Sequence, residues 1–187
     1  ETNKYEALIN NDFNFNSFDY ITKKGIVSDY SLLLKNFNTY SENSTNFLKP
    51  IVQLRVSPTN GKDISSSDTR IEFDNLFSPN RIGRSDMVEK GNSITLGVEF
   101  EKQNLDDSKT LGLSLGSVLK DKKNQDLPTK TKLNQTRSDI VGNFYYKLNN
   151  IMELNYNFSY DRDLEYSNYD SINASIGLHK FVTSFDY

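Results

Sequence analysis

The chain has 187 residues, of which 35% are hydrophobic and 12% aromatic; 22 basic and 25 acidic residues leave a net charge of -3, and cysteine is absent. Disulfide frameworks and cysteine metal sites are thereby excluded, and charges scattered without a basic block give no electrostatic case for nucleic acid. No apolar run approaches the roughly 20 residues that a membrane helix needs, so any membrane role falls to strands.

From the amino terminus, "DFNFNSF" and "DYSLLLKNF", then "PIVQLRVS" and "RIEFDNLF", mix β-branched and aromatic residues between turn-rich stretches and read as strands. The pattern sharpens at "SITLGVEFE", where Ile94, Leu96, Val98 and Phe100 alternate with Ser93, Thr95, Gly97 and Glu99. In "TLGLSLGSVL", Leu111, Leu113 and Leu115 oppose Gly112, Ser114 and Gly116, where small residues leave room on the polar face. "SDIVGNFYYKL" sets Ile140, Phe144, Tyr146 and Leu148 against Asp139, Asn143 and Lys147, with Val141 and Tyr145 as exceptions. In "IMELNYNFSYDRD" the alternation is strict, with Met152, Leu154, Tyr156, Phe158 and Tyr160 against Glu153, Asn155, Asn157, Ser159 and Asp161. "SINASIGLH" sets Ile172, Ala174, Ile176 and Leu178 against Ser171, Asn173, Ser175 and His179, and "FVTSFDY" carries Phe181, Phe185 and Tyr187 on one side.

A period of two is the signature of a strand with one apolar and one polar environment. The spacing predicts an all-β fold of roughly ten strands, most near the length that a tilted membrane strand requires. Two environments satisfy it: a sandwich buries the apolar row in a protein core, whereas a membrane barrel turns it to lipid and the polar row to a wet lumen. Connections discriminate, because outer-membrane barrels have short turns at one end and longer loops at the other. "NN", "HK" and "QNLDDSK" alternate with "LEYSNYD", "KDKKNQDLPTKTKLNQ" and "SPNRIGRSDMVEKGN", although "SPTNGKDISSSDT" falls on the short side and breaks the scheme. The balance favours an antiparallel, up-and-down transmembrane barrel wall.

Residues 50–101 carry something more specific. "PIVQLRVSPTNG" and "IEFDNLFSPNRIGRSDMVEKGNSITLGVEFE", with the "NLFSPNR" block followed by Asp86, Glu89 and Gly91, resemble the barrel of the LptD (OstA) lipopolysaccharide-assembly family, in its alphaproteobacterial form. The later strands are similar to that family in the same order, so that the resemblance covers most of residues 48–187. It departs at Ile82, Met87, Lys90 and Leu96. The resemblance implies a large barrel of the Gram-negative outer membrane that receives lipopolysaccharide from a periplasmic bridge protein, is plugged by an LptE-like lipoprotein, and releases its cargo to the outer leaflet.

On that reading residues 1–187 are part of one barrel domain, an open arc whose periplasmic domain and remaining strands lie elsewhere in a longer precursor, as would a secretory signal. The aromatic ending at Phe185 and Tyr187 is read as a truncation. Lumen-facing candidates are Glu153, Asn155, Asn157, Ser159, Asp161, Asn173 and Ser175; Arg81, Arg84 and Lys90 lie in an external loop, where lipopolysaccharide phosphates are available partners. His179 has no pattern of further metal ligands, "DRD" at 161–163 reads as a solvated strand end, and no nucleophile motif is present, so neither cofactor nor catalysis is expected. A general porin or nutrient receptor and a secreted β-sandwich binding module remain the alternatives.

Overall fold

The computed structural model describes residues 6–9, 14–22, 25–33, 37–41, 43–57, 63–78, 80–83, 89–104, 108–149, 151–178 and 181–187, with side chains from residue 43 onward except 178–182. Among the described residues eleven strands form one antiparallel sheet. They are β1 (Glu6–Ile9), β2 (Asn14–Thr22), β3 (Gly25–Leu33), β4 (Phe37–Ser41), β5 (Ser44–Ser57), β6 (Gly91–Asn104), β7 (Lys109–Lys120), β8 (Ile140–Leu148), β9 (Met152–Tyr160), β10 (Ser167–Leu178) and β11 (Phe181–Asp186), with a single helical turn, α1 (Phe73–Leu76). From β5 to β11 each strand pairs with the next. Along the other edge of β5, β4 lies beside Ser44–Leu48 and β3 beside Ile51–Val56, and these in turn pair with β1 and β2. β3 and β4 therefore share one row. The sheet is an open arc: among the described residues no pairing joins β11 to β1 or β2. No described helix is long and apolar enough to cross a membrane.

The register gives the two faces. Gln53, Thr95, Val118 and their neighbours step across β5, β6 and β7 so that odd positions of β5 and β6 share a face with even positions of β7; the same face continues through odd positions of β8, β9 and β10. On the opposite face Leu54 (46% exposed), Ile94 (41%) and Leu96 (43%) stand open, as do Leu48, Val56, Leu119, Ile176 and Phe185. Tyr156, Phe158 and Tyr160 follow one another along that face of β9 with ring centroids 5.3 and 5.6 Å apart. The expected alternation is thus present, and the apolar row is the uncovered one.

"RIEFDNLF" is not a strand. Asn75 curls the chain there: its Oδ1 accepts the Glu72 N–H (3.0 Å) and its Nδ2 donates to the Arg70 carbonyl (3.3 Å), which closes the turn of α1. Local polar bonds of this kind compete with the ladder of a sheet. Removing that strand also repairs the connection pattern. Residues 58–90 form a single long connection between β5 and β6, at the same end as 121–139 and 161–166, while 105–108, 149–151 and 179–180 lie at the other.

The two longest connections share a small core with the sheet. Ile64, Ile71, Leu76 and Ile82 of the first meet Leu127 and Leu133 of the second over Val118 of β7 and Val141 of β8, with Phe73 and Phe77 packed alongside. Full burial of such a side chain contributes about 1.5–3 kcal/mol, enough for a handful of them to hold a loop in place. Hydrogen bonds join the loops directly: the Ile64 N–H donates to the Asp126 carbonyl (2.8 Å), and the Ile71 N–H to the side-chain Oγ1 of Thr131 (3.2 Å). This cap covers the polar face at its long-loop end.

Candidate functional site

Beneath the cap the polar face carries a buried ion cluster. Arg55 projects from β5 and Lys120 from β7, on the capped face; Arg81 and Glu89 come down from the 58–90 connection. Glu89 accepts from Arg81 through Nε (2.5 Å) and Nη2 (2.7 Å), from Arg55 Nη1 (3.0 Å), and lies 2.5 Å from Lys120 Nζ. Arg81 also donates to Thr95 Oγ1 (3.0 Å) and Ser93 Oγ (3.0 Å) of β6. The fork of Arg81 on the carboxylate is the two-point geometry that makes a charged hydrogen bond strong. Burial by itself would push the Glu89 carboxyl up; Arg81, Lys120 and Arg55 around it outweigh that and hold it far below the usual carboxylate range.

The same strands grip the loop backbone. Gln53 Nε2 donates to the Phe77 carbonyl (2.9 Å) and Arg55 Nη2 to that of Ser78 (2.6 Å). Close approach is possible because Gly97 and Gly116 face each other across β6 and β7. A Cβ on Gly97 would strike the Phe77 ring, and one on Gly116 the Leu76 side chain, so two missing side chains make the dent in which α1 rests.

Past the cap the polar row of β8, β9 and β10 opens. Asn143 Nδ2 donates to Asn155 Oδ1 (2.5 Å) and Asn157 Oδ1 (2.7 Å), Lys147 faces Glu153 at 3.8 Å, and Asn173 and Ser175 stand opposite Asn155 and Glu153. Glu153, Asn155, Asn157, Asn173 and Ser175 thus form one continuous patch. Ser159 and Asp161 do not belong to its open part, for both are buried at the capped end. Asp161 is no solvated strand end: its Oδ1 accepts the Glu165 N–H (2.7 Å) and the Tyr166 N–H (3.4 Å), closing the β9–β10 turn, while Arg162 and Asp163 are exposed. Burial would raise its carboxyl, but these backbone donors keep it below the ordinary value. Neighbouring Asp139, by contrast, is pushed up by burial despite accepting from Asn168 Nδ2 (2.7 Å) and Ser159 Oγ (3.4 Å) and lying 3.7 Å from Lys132 Nζ. A polar cleft of about 520 Å³ runs between the 121–139 and 161–166 connections, with Lys123, Lys132, Arg137 and Arg162 against Asp161 and Asp163.

The three cations expected in an external loop part company. Arg81 is only 1% exposed and is committed to Glu89, Ser93 and Thr95, so it holds the loop instead of offering its charge to a phosphate. Arg84, like Asp86 and His179, lies outside the described residues. Lys90 is exposed at the rim. Arg55, Lys120 and Gln53 were not singled out by the sequence reading, although charged and amide groups in the middle or at the end of otherwise apolar strands were the available signal.

Among the described residues no group of acidic or histidine side chains could hold a metal ion. The model of the family described as LptD: LPS transport system D matches residues 27–187. No curated protein and no solved structure matches the chain.

Proposed function

Since the chain belongs to the LptD family of the LPS transport system, we propose that it is a section of the wall of an outer-membrane β-barrel through which lipopolysaccharide reaches the outer leaflet of a Gram-negative bacterium. The observation that carries this reading is the pairing of a bare apolar face with a polar face that the chain's own loops cover. Leu48, Leu54, Val56, Ile94, Leu96 and Ile176 stand exposed on one side of the sheet. In water so large an apolar surface would be costly; against hydrocarbon it is the stable arrangement.

The open patch of Glu153, Asn155, Asn157, Asn173 and Ser175 would then line an aqueous lumen, polar enough for sugars and for an LptE-like plug lipoprotein. Ser159 and Asp161 would line its roof. The long-loop end would face outward and the short-turn end would face the periplasm, where a bridge protein would deliver the cargo. A porin wall would present the same two faces; membership of the family favours transport and assembly of lipopolysaccharide over it.

Depletion of the full-length protein carrying this segment is expected to remove newly made lipopolysaccharide from the cell surface, read by surface labelling. Unchanged surface levels would overturn the assignment.

A further inference from the structure

On the bare face, at the long-loop end, Leu54 and Val56 of β5, Ile94 of β6 and Leu119 of β7 line a groove of about 380 Å³. All four are among the exposed large hydrophobics. Immediately beyond the strand ends is a second hollow of similar volume, about 380 Å³, which takes in Lys90, Lys122 and Lys123. Asn92, Lys120 and Asp121 line both, so the apolar groove and the basic cleft are neighbours. Lys120 is neutralised by Glu89 underneath. Lys90, Lys122 and Lys123 are exposed, and among the described residues none of them has an ion-pair partner. The carboxylate in the cleft is that of Asp121, which accepts from Asn92 Nδ2 (3.2 Å) and leaves the cations in excess.

We infer that this composite groove is a lipid site on the outside of the wall, occupied by a lipopolysaccharide molecule with an acyl chain against Leu54, Val56, Ile94 and Leu119 and a phosphate between Lys90, Lys122 and Lys123. An apolar channel that ends in unpaired lysines matches an anionic amphiphile and fits neither a neutral lipid nor a soluble phosphate. The choice of lipopolysaccharide over a phospholipid rests on the reading proposed above, which turns the long-loop end toward the outer leaflet. The site lies on the face opposite the polar patch, so lipid held there is outside the lumen. Lysines beside a membrane surface attract anionic headgroups, and long side chains reach the headgroup level while their stems cover apolar wall.

The test uses the full-length protein extracted from outer membranes in mild detergent, with retained lipid identified and counted by native mass spectrometry. Replacing Lys90→Ser, Lys122→Ser and Lys123→Ser together is expected to lower retained lipopolysaccharide about tenfold or more. Ile94→Trp, which fills the groove and leaves the lysines in place, is expected to lower it as well, and decides the matter if the triple variant does not fold. Equal retention by a folded variant would overturn the site, and wild-type protein that retains phospholipid in place of lipopolysaccharide would overturn its occupant. The surface-labelling experiment is independent: its failure would sink the transport reading and leave the retention result standing.

Discussion

Glu89 shows how a single side chain can fix a loop. Three cations converge on it, and all four groups are buried or nearly so. Replacing one member of a buried ion cluster leaves the others uncompensated, at a cost of about 3–5 kcal/mol, so Glu89→Gln is expected to undock the 58–90 connection, seen as lost hydrogen-exchange protection there. The pH dependence has a definite sign. Glu89 is held below its unfolded value of about 4.3, so its contribution is complete above that value, begins to fade as pH falls beneath it, and is gone once pH passes the folded value. Protection of the loop should therefore be constant near neutrality and decline in acid; a decline that sets in above pH 6 would point to another group. The glycines offer a steric counterpart. Gly116→Ala drives a Cβ into Leu76, an overpacking cost of about 1–3 kcal/mol, whereas Gly112→Ala meets nothing nearer than 3.6 Å and should leave protease resistance of the cap unchanged.

At the scale of elements, what was legible in the sequence was whatever a period of two alone could specify. β9 and β10 were readable because nothing but their own alternation decides which side chain goes where. Residues 70–77 were not, because Ile71 and Leu76 satisfy a core built by two loops over Val118 and Val141, and no local pattern reveals partners so distant in the chain. The burial of Arg81 is illegible for a related reason. A charged residue in a polar loop is ordinarily solvated, and the groups that draw this one inward sit on β6, at Ser93 and Thr95, or eight residues further on at Glu89. By sequence alone Asp161 reads as a strand end in water, yet backbone donors four and five residues ahead bring its carboxylate under the turn. The small residues at Gly112, Ser114 and Gly116 did announce that space was needed on the polar face; at Gly116 that space is filled by α1.

For the whole molecule, the assignment of the two faces makes opposite demands on equivalent changes. Leu96→Arg, on the bare face in the middle of β6, is expected to destabilise the folded protein in bilayers by about 2–4 kcal/mol, while Asn173→Arg, exposed on the polar face of β10, should cost little. Urea unfolding of the full-length protein in liposomes measures both, and equal costs would mean that the faces have been assigned the wrong way round. The cap has a further bearing on how such a wall is made. Its first half is synthesised between β5 and β6, yet the surface that receives it includes Val118 and Val141, which arrive only with β7 and β8. That connection must therefore travel as an undocked roof, its charges still hydrated, until the two later strands are laid alongside. Closure becomes a timed event in biogenesis, and a chain stalled before β8 would display a dangling, protease-sensitive segment that the finished product conceals.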